Sequence, residues 1–145
     1  MFVQHSVHIE SPIEEVATAL LKGPRKWFPY VDGSGEASVG PSVAGLWIRK
    51  KVTVSVGEPT KAGSWIEVPI TWRATSIARM FPVMTGKVEL APVDADVTRL
   101  TVCGMYEPPL GKIGKELDDA LMHRVAEATV RELADAIAKR LAIAA

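Results

Sequence analysis

The C-terminal part of the chain constrains the fold most strongly, because residues 115–145 contain neither glycine nor proline. Apolar side chains recur at helical intervals there, at Ile113, Leu117, Leu121, Val125, Leu133, Ile137 and Leu141. This spacing predicts one amphipathic helix from about Lys112 to about Ile143, which is ~45 Å long at about 1.5 Å per residue. Such a helix is long enough to cross a small domain. A coiled-coil arm is the alternative, but spacing by fours lacks the 3-4 alternation of a heptad seam.

The rest of the chain alternates between apolar and polar residues over several short stretches. In residues 2–10 the apolar side carries Val3, His5, Val7 and Ile9. A period of two is typical of a strand that is buried on one face. Similar alternation predicts strands at 46–56, 65–74, 84–90 and 97–106. Residues 32–42 are predicted to be a loop, with a short strand at 36–39 as the alternative, and residues 57–63 are predicted to be a turn. Short connections between successive strands favour antiparallel pairing.

A helix start follows the first strand. Ser11 is predicted to cap the helix, Pro12 suits its first position, and Glu14 completes a capping box. Gly23 and the proline after it are expected to end this helix. Residues 25–30 then predict a second short helical turn.

The length, the charge balance and the cysteine count of the chain exclude several classes of protein. A chain of 145 residues fits one domain, and the sequence is predicted to form a single domain over residues 1–145. The chain has seventeen basic and seventeen acidic residues, so it carries no excess positive charge that would favour binding to nucleic acid. Cys103 is the only cysteine, which excludes an intrachain disulfide and a zinc site built from several thiols.

The sequence also indicates where the protein works. The start of the chain lacks the basic and apolar regions of a signal peptide. No stretch of ~18 apolar residues is present, so no membrane-spanning helix and no integral membrane association are predicted. A cytoplasmic location is therefore the expectation.

The order of elements is strand, capped helix, short second helix, antiparallel strands and long C-terminal helix. It resembles the helix-grip fold of the START-related, birch-pollen-allergen-like superfamily, also called SRPBCC (polyketide cyclase/dehydrase and lipid-transport proteins). Two segments carry the resemblance. The first is VHIESPIEEV at residues 7–16 with the later Trp27, and the second is GMYEPPLG at residues 104–111. The pattern covers essentially the whole chain, and both segments describe fold and not catalysis.

The resemblance implies an α+β domain in which a curved antiparallel sheet of six to seven strands wraps around the C-terminal helix, with two short helices after the first strand. It also implies a cavity between the sheet and this helix. Members of the superfamily bind lipids, sterols, polyketides or other apolar molecules, and some are cyclases, dehydratases or hydrolases. Fold alone does not choose among these activities.

Three hypotheses about function follow. The first is binding or carriage of a small hydrophobic ligand such as a lipid or polyketide, by a monomer or homodimer. The second is an enzyme of the polyketide cyclase, aromatase or dehydratase kind acting in the same cavity, which requires His5, Lys50 and Tyr106 to converge. The third is an interaction module, for example a dimer joined through residues 80–84.

Two polar residues interrupt the predicted apolar faces and are candidate ligand-binding groups. His5 can act as a base near neutral pH, or it is a core histidine satisfied by one hydrogen bond. Lys50 shares a face with Leu46 and Val56, where a lysine is costly to bury unless it is paired or reaches water. If it points inward it can meet a carboxylate or phenolate on the ligand. A bulge that turns it outward is the alternative.

The other candidate ligand-binding residues are apolar or aromatic. Trp72 and Tyr106 occupy inward positions, and Trp27 is expected near the pocket mouth. On the final helix the predicted pocket wall comprises Leu121, Met122 and Val125. Solid core packing is the alternative for all of them, because core and pocket wall are the same surface in this fold.

Chemistry-bearing motifs are missing from the sequence. It contains no glycine-rich phosphate loop, no paired metal ligands on a helix and no nucleophile elbow. His5 and His8 fall on opposite faces of one strand, so a metal site that uses both is not expected. The sequence therefore predicts no cofactor, no metal and no catalytic residue.

Overall fold

The computed structural model describes residues 2–28, 36–39, 42–43, 46–47, 50–74, 84–106 and 115–144. Side chains are described within residues 2–23, 26–28, 55–71, 84–105, 123–124 and 126–143. Of the segment 80–84, which was considered as an interface, residues 80–83 lie outside the described residues and Met84 lies within them. None of the described helices has both the length and the apolar character needed to cross a membrane.

The described strands form one large antiparallel sheet and one small one. They are β1 (Phe2–Ile9), β2 (Glu36–Val39), β3 (Ser42–Val43), β4 (Leu46–Trp47), β5 (Lys50–Val56), β6 (Thr60–Ala62), β7 (Trp65–Ala74), β8 (Met84–Pro92) and β9 (Thr98–Tyr106). The large sheet has the order β1-β9-β8-β7-β5-β2, with β6 also paired to β7, and β3 pairs with β4 separately. The predicted α+β architecture and the number of strands are confirmed.

Three helices accompany the sheet: α1 (Ile13–Leu21), α2 (Pro24–Trp27) and α3 (Lys115–Ala144). Helix α3 packs mainly against β1 and β9, and both short helices contact it. The predicted long C-terminal helix is therefore present, and it crosses the sheet at the edge where the first and last strands pair.

The predicted capping box at the start of α1 is wrong. Pro12 is the N-cap residue, and no side chain makes a capping hydrogen bond. Ser11 instead uses its backbone, since its N–H donates to the carbonyl of Ile9 at 2.8 Å and its own carbonyl accepts from Thr98 Oγ1 at 2.8 Å. The segment before α1 is thus tied to β9, which the local sequence could not indicate.

Two strand predictions also need correction. Residues 57–63 were expected to be a turn only, but Thr60–Ala62 pairs with β7 as strand β6. The predicted strand at 46–56 is two strands, of which β4 belongs to the small sheet and β5 to the large one. Strand β6 is short and wholly exposed, so it carries no apolar alternation that the sequence could reveal.

A hydrophobic core lies between the helices and one face of the large sheet, here called the inner face. The inner face carries Val68, Val88 and Val102, which lie in one row across three neighbouring strands. Buried side chains from all three helices complete the cluster, and they include Val16, Leu20, Trp27, Leu133, Ile137 and Leu141. The opposite side, here called the outer face, carries mostly polar residues.

The sheet contains a glycine pair at its centre. Gly86 of β8 faces Gly104 of β9 in the pairing register. A Cβ atom on Gly86 would collide with the carbonyl oxygen of Cys103, so the two strands approach too closely there for any side chain. Paired glycines of this kind allow a sheet to bend sharply.

Candidate functional site

One row of the inner face brings predicted site residues together. Trp72 pairs with Met84, and Met84 pairs with Tyr106 on the next strand. Val54 of β5 extends the same row on the far side of Trp72. We call Val54, Trp72, Met84 and Tyr106 the Met84 row. The side chains of Trp72 and Tyr106 lie outside the described residues, but their backbone positions are fixed by this register.

Met84 marks the limit of the described core at this row. Its side chain is 2% exposed and belongs to the hydrophobic cluster. A Cβ atom on Gly104 would lie 2.7 Å from Met84 Sδ, so the methionine side chain leans over this glycine. From the sequence, Met84 was considered only as part of the apolar segment 80–84, because its position between Trp72 and Tyr106 depends on the pairing register.

The backbone around Lys50 is regular. Lys50 pairs with Val39 and Val52 with Ala37, while Val52 also pairs with Ala74 on the other side. No extra residue interrupts this pairing, so the described backbone contains no bulge that would reset the alternation between Lys50 and the end of β5. The Lys50 side chain itself lies outside the described residues.

His5 lies where β1 meets α3. Its half-buried ring places Nε2 3.9 Å from Oδ1 of Asp135, whose side chain is exposed. In the sheet, His5 pairs with Val102, which is four residues from Tyr106 along β9. The structure therefore puts His5 at the rim of the contact between sheet and helix, ~13 Å along the strands from the Met84 row.

Trp27 is part of the core. Its ring is 1% exposed, and its Nε1–H donates to the carbonyl of Leu20 at 3.0 Å. The ring of Phe28 packs beside it, with centroids 6.0 Å apart and planes inclined by 60°. These contacts fasten α2 to the end of α1, and they account for the burial of Trp27 without a ligand.

The helix side of the predicted pocket is described only in part. Leu121, Met122 and Val125 belong to α3, and their side chains lie outside the described residues. The next residues of the same stripe, Ala126 and Thr129, are buried.

The register keeps three of the predicted polar groups apart. His5 and Tyr106 are separated by two rows along the strands, and Lys50 lies a further two rows beyond Tyr106. These four rows correspond to ~26 Å along the strands, since each row adds two residues. The described backbone therefore does not bring His5, Lys50 and Tyr106 to one point.

The groups with shifted pKa values lie on the outer face. Lys87 Nζ contacts Glu89 Oε1 at 2.7 Å and Glu67 Oε1 at 3.2 Å, and these hydrogen bonds, the one to Glu89 first, raise the pKa of Lys87. Burial raises the pKa of the Cys103 thiol, which donates to the carbonyl of Lys87 at 3.8 Å. The three charged residues come from two strands, so only the pairing register reveals that they meet. Among the described residues, no group of three or more histidine, cysteine or acidic residues is placed to hold a metal.

The chain resembles known proteins in structure and not in sequence. No family model matches the chain, and no curated protein matches its sequence. A protein from Thermus thermophilus superimposes with a TM-score of 0.63 at 16% identity, covering 100% of this chain and 99% of that one. A conserved protein from Geobacillus kaustophilus gives a TM-score of 0.59 at 15% identity, covering 99% and 96%.

A third similar structure carries a name. Norcoclaurine synthase from Thalictrum flavum, in complex with dopamine and hydroxybenzaldehyde, superimposes with a TM-score of 0.55 at 12% identity, covering 96% of this chain and 84% of that one. The present chain has the helix-grip fold. In this helix-grip fold, α3 is the helix that packs against the sheet. The Met84 row lies at the C-terminal end of β9, the strand that precedes α3 in the chain.

Proposed function

We propose that the chain binds a small hydrophobic molecule between the inner face of the sheet and the N-terminal half of α3. The Met84 row is the observation that carries this proposal. It sets two aromatic residues on either side of a buried methionine in one cross-strand row of the inner face. Aromatic and thioether groups suit a pocket for an apolar ligand, because both offer large polarisable surfaces.

The length of α3 supports the helix side of the pocket. Asp135 lies beside His5, and α3 begins after the segment 107–114 that follows the end of β9. At 1.5 Å per residue, Val125 lies ~15 Å and Leu121 ~21 Å before Asp135 along the helix. The Met84 row lies ~13 Å beyond the row of His5 along the strands. We therefore expect Leu121, Met122 and Val125 to face the Met84 row.

Lys50 indicates the shape of the ligand. It lies two rows beyond Val54 on the same strand, ~13 Å along β5 at about 3.3 Å per residue. A ligand that contacts the Met84 row and also reaches this lysine is elongated, with an apolar body and an anionic or phenolic end. The complex of norcoclaurine synthase with two small aromatic molecules supports the view that a helix-grip protein can hold aromatic ligands. We propose no enzymatic activity, because the described backbone does not bring His5, Lys50 and Tyr106 together.

Native mass spectrometry of the freshly purified full chain tests the proposal, followed by denaturation and organic extraction. We expect an apolar molecule that is retained in the native protein and lost on denaturation. Met84→Ala should reduce its retention, because it removes a side chain from the predicted pocket wall. Val93→Ala is the control, since Val93 is exposed, lies in the turn after β8 outside the predicted pocket wall, and should leave retention unchanged.

Two results would contradict the proposal. One is equal retention in Met84→Ala and Val93→Ala, which would place the ligand away from the Met84 row. The other is failure of the purified chain to bind any of a panel of fatty acids, sterols and aromatic polyketides in the same native spectra. Both variants must first show the cooperative unfolding of the parent chain, so that loss of ligand is not confused with loss of fold.

A further inference from the structure

A groove with a volume of about 380 Å³ opens on the outer face of the sheet, on the side opposite to the proposed ligand pocket. Its floor is the backbone of Gly86 and Gly104, the glycine pair at the sheet centre. Phe2 and Met105 form one wall, and Pro69 lies across the groove from them. The volume falls in the range of small-molecule pockets, which is roughly 300 to 1,000 Å³.

The conformation of Lys87 keeps this groove open. Lys87 sits in the same cross-strand row as Cys103 and Pro69, at the centre of the groove. Its ammonium group lies in the next cross-strand row, where Nζ contacts Glu89 Oε1 at 2.7 Å and Glu67 Oε1 at 3.2 Å. The side chain therefore lies toward one end of the groove, and the glycine backbone between the walls is left uncovered.

The walls of the groove are exposed apolar residues. Phe2 is 53% exposed and Met105 is 55% exposed, and they are paired neighbours on β1 and β9. Large apolar side chains that remain this exposed side by side mark a binding surface more often than scattered single ones do. An aromatic ring and a thioether both make favourable contacts with an aromatic or aliphatic group of a ligand.

Charge at the polar end of the groove selects the ligand. Two carboxylates share one ammonium group there, so the cluster of Glu67, Lys87 and Glu89 has a net charge of −1. An anionic ligand would have to displace a carboxylate from Lys87 before it could bind. A cationic ligand instead meets carboxylate oxygens whose negative charge is only partly neutralised by Lys87. The half-buried Glu67 also lines the groove itself.

We propose that this outer groove is a second binding site, which takes a small molecule that joins an apolar group to a cationic amine. The apolar group lies between Phe2 and Met105, and the amine lies against Glu67. The site is separate from the inner pocket, because the sheet itself stands between them.

Three matched probes test this proposal with the ¹⁵N-labelled full chain: 2-phenylethylamine, 2-phenylethanol and 3-phenylpropionate. They share a phenyl group and differ in charge. We expect saturable shifts of the amide signals of Gly86, Lys87, Gly104 and Met105 with the amine. Half-exposed ion pairs are modest, so the amine should bind up to about fivefold more tightly than the alcohol, and the carboxylate most weakly.

Variants separate the two parts of the proposed site. Glu67→Gln should remove the preference for the amine over the alcohol, and Thr60→Lys, which adds a cation at the exposed rim, should weaken only the amine. Met105→Ala should weaken amine and alcohol alike. Val93→Ala is the matched control, because Val93 is similarly exposed but lies in the turn after β8, outside the groove lining.

Three outcomes would overturn the proposal. They are tighter binding of 3-phenylpropionate than of the amine, shifts confined to inner-face residues such as Met84, and no saturable shift at the highest soluble amine concentration. None of these depends on the inner pocket, so the outer groove and the proposed function can fail separately.

Discussion

Met84 occupies the space that a side chain on Gly104 would need, with its Sδ 2.7 Å from the position of a Cβ atom there. The two residues belong to neighbouring strands, and the methionine side chain is fully enclosed in the hydrophobic cluster. A glycine on β9 therefore determines where the most adaptable side chain of the Met84 row can lie. This contact links the bend of the sheet to the wall of the proposed pocket.

Gly104→Ala is expected to destabilise the protein by about 1–3 kcal/mol, because the new methyl group forces Met84 to move within a packed core. Urea unfolding followed by circular dichroism measures the change. Met84→Ala should relieve much of the clash, so the double variant should lose less stability than the sum of the two single variants. Strict additivity in this double-mutant cycle would show that the two residues do not interact.

Gly86→Ala should be more damaging than Gly104→Ala, with a loss above about 3 kcal/mol. The added methyl group meets the carbonyl oxygen of Cys103 and not a flexible side chain, so the strands must separate to accept it. The same urea titration compares the two variants. Because Met84 is not the obstacle here, Met84→Ala should give no rescue, and a rescue would contradict the assignment of the clash to the backbone.

Trp27→Phe should cost about 1–3 kcal/mol, since it removes the indole donor to the Leu20 carbonyl and leaves a small cavity in the core. Trp65→Phe provides the control. Trp65 is 42% exposed, and its main described contact is with Arg99, whose Cζ lies 5.8 Å from the ring centroid. Loss of this exposed cation–π contact should cost less than about 1 kcal/mol. Equal losses in the two variants would argue against the buried role of Trp27.

Cys103 should react slowly with iodoacetamide in the folded protein, because burial raises its pKa and keeps the thiol protonated at neutral pH. In the folded protein the rate should still be rising at pH values above ~8.5, the usual value for a cysteine, because the native pKa lies higher. Unfolding in urea should make the reaction with iodoacetamide fast. Mass spectrometry gives the rate without ambiguity, since the chain has a single cysteine. Fast modification of the folded chain at pH 7 would contradict the burial of this thiol.

The same shift has a consequence for stability. A raised native pKa means that the unfolded chain releases the thiol proton first as the pH rises, so this group lowers the free energy of unfolding between the unfolded and native pKa values. We expect Cys103→Ala to lose less stability than the parent chain between pH 8 and pH 10 in matched urea titrations, as estimated from the usual cysteine value of ~8.5. An identical pH dependence in both proteins would show that the thiol makes no contribution.

Much of the fold could be predicted from local patterns. The alternation around Val3 and Ile9 and the run without glycine or proline in α3 appear where the sequence indicated them, whereas the short strand Glu36–Val39 lies in a segment predicted mainly as loop. The first two features are set by a periodicity that neighbouring residues carry among themselves. The start of α1 was misjudged because Ser11 meets Thr98, a residue 87 positions away, and that contact is absent from any local pattern.

For the candidate sites, too, some features were indicated by the sequence and others were not. Alternation predicts that Trp72, Lys50 and Tyr106 face the inner side, and this stays a prediction for their side chains, since the register gives only their backbone positions. The sequence did not indicate that Met84 lies between Trp72 and Tyr106, or that His5 lies at the rim beside Asp135. It also gave no sign of the outer groove, whose walls come from β1, β9, β8 and β7.

By itself, the sequence determined most of the segments that become strands and helices, though not β6, and which side of each is apolar, because these depend on residues close together in the chain. Only the tertiary structure decided which residues become neighbours across strands. Pairing register brings Gly86 to Gly104, Met84 between two aromatic positions, and Lys87 to two carboxylates. Register depends on the packing of the whole sheet against α3, and a shift of one residue would exchange its two faces.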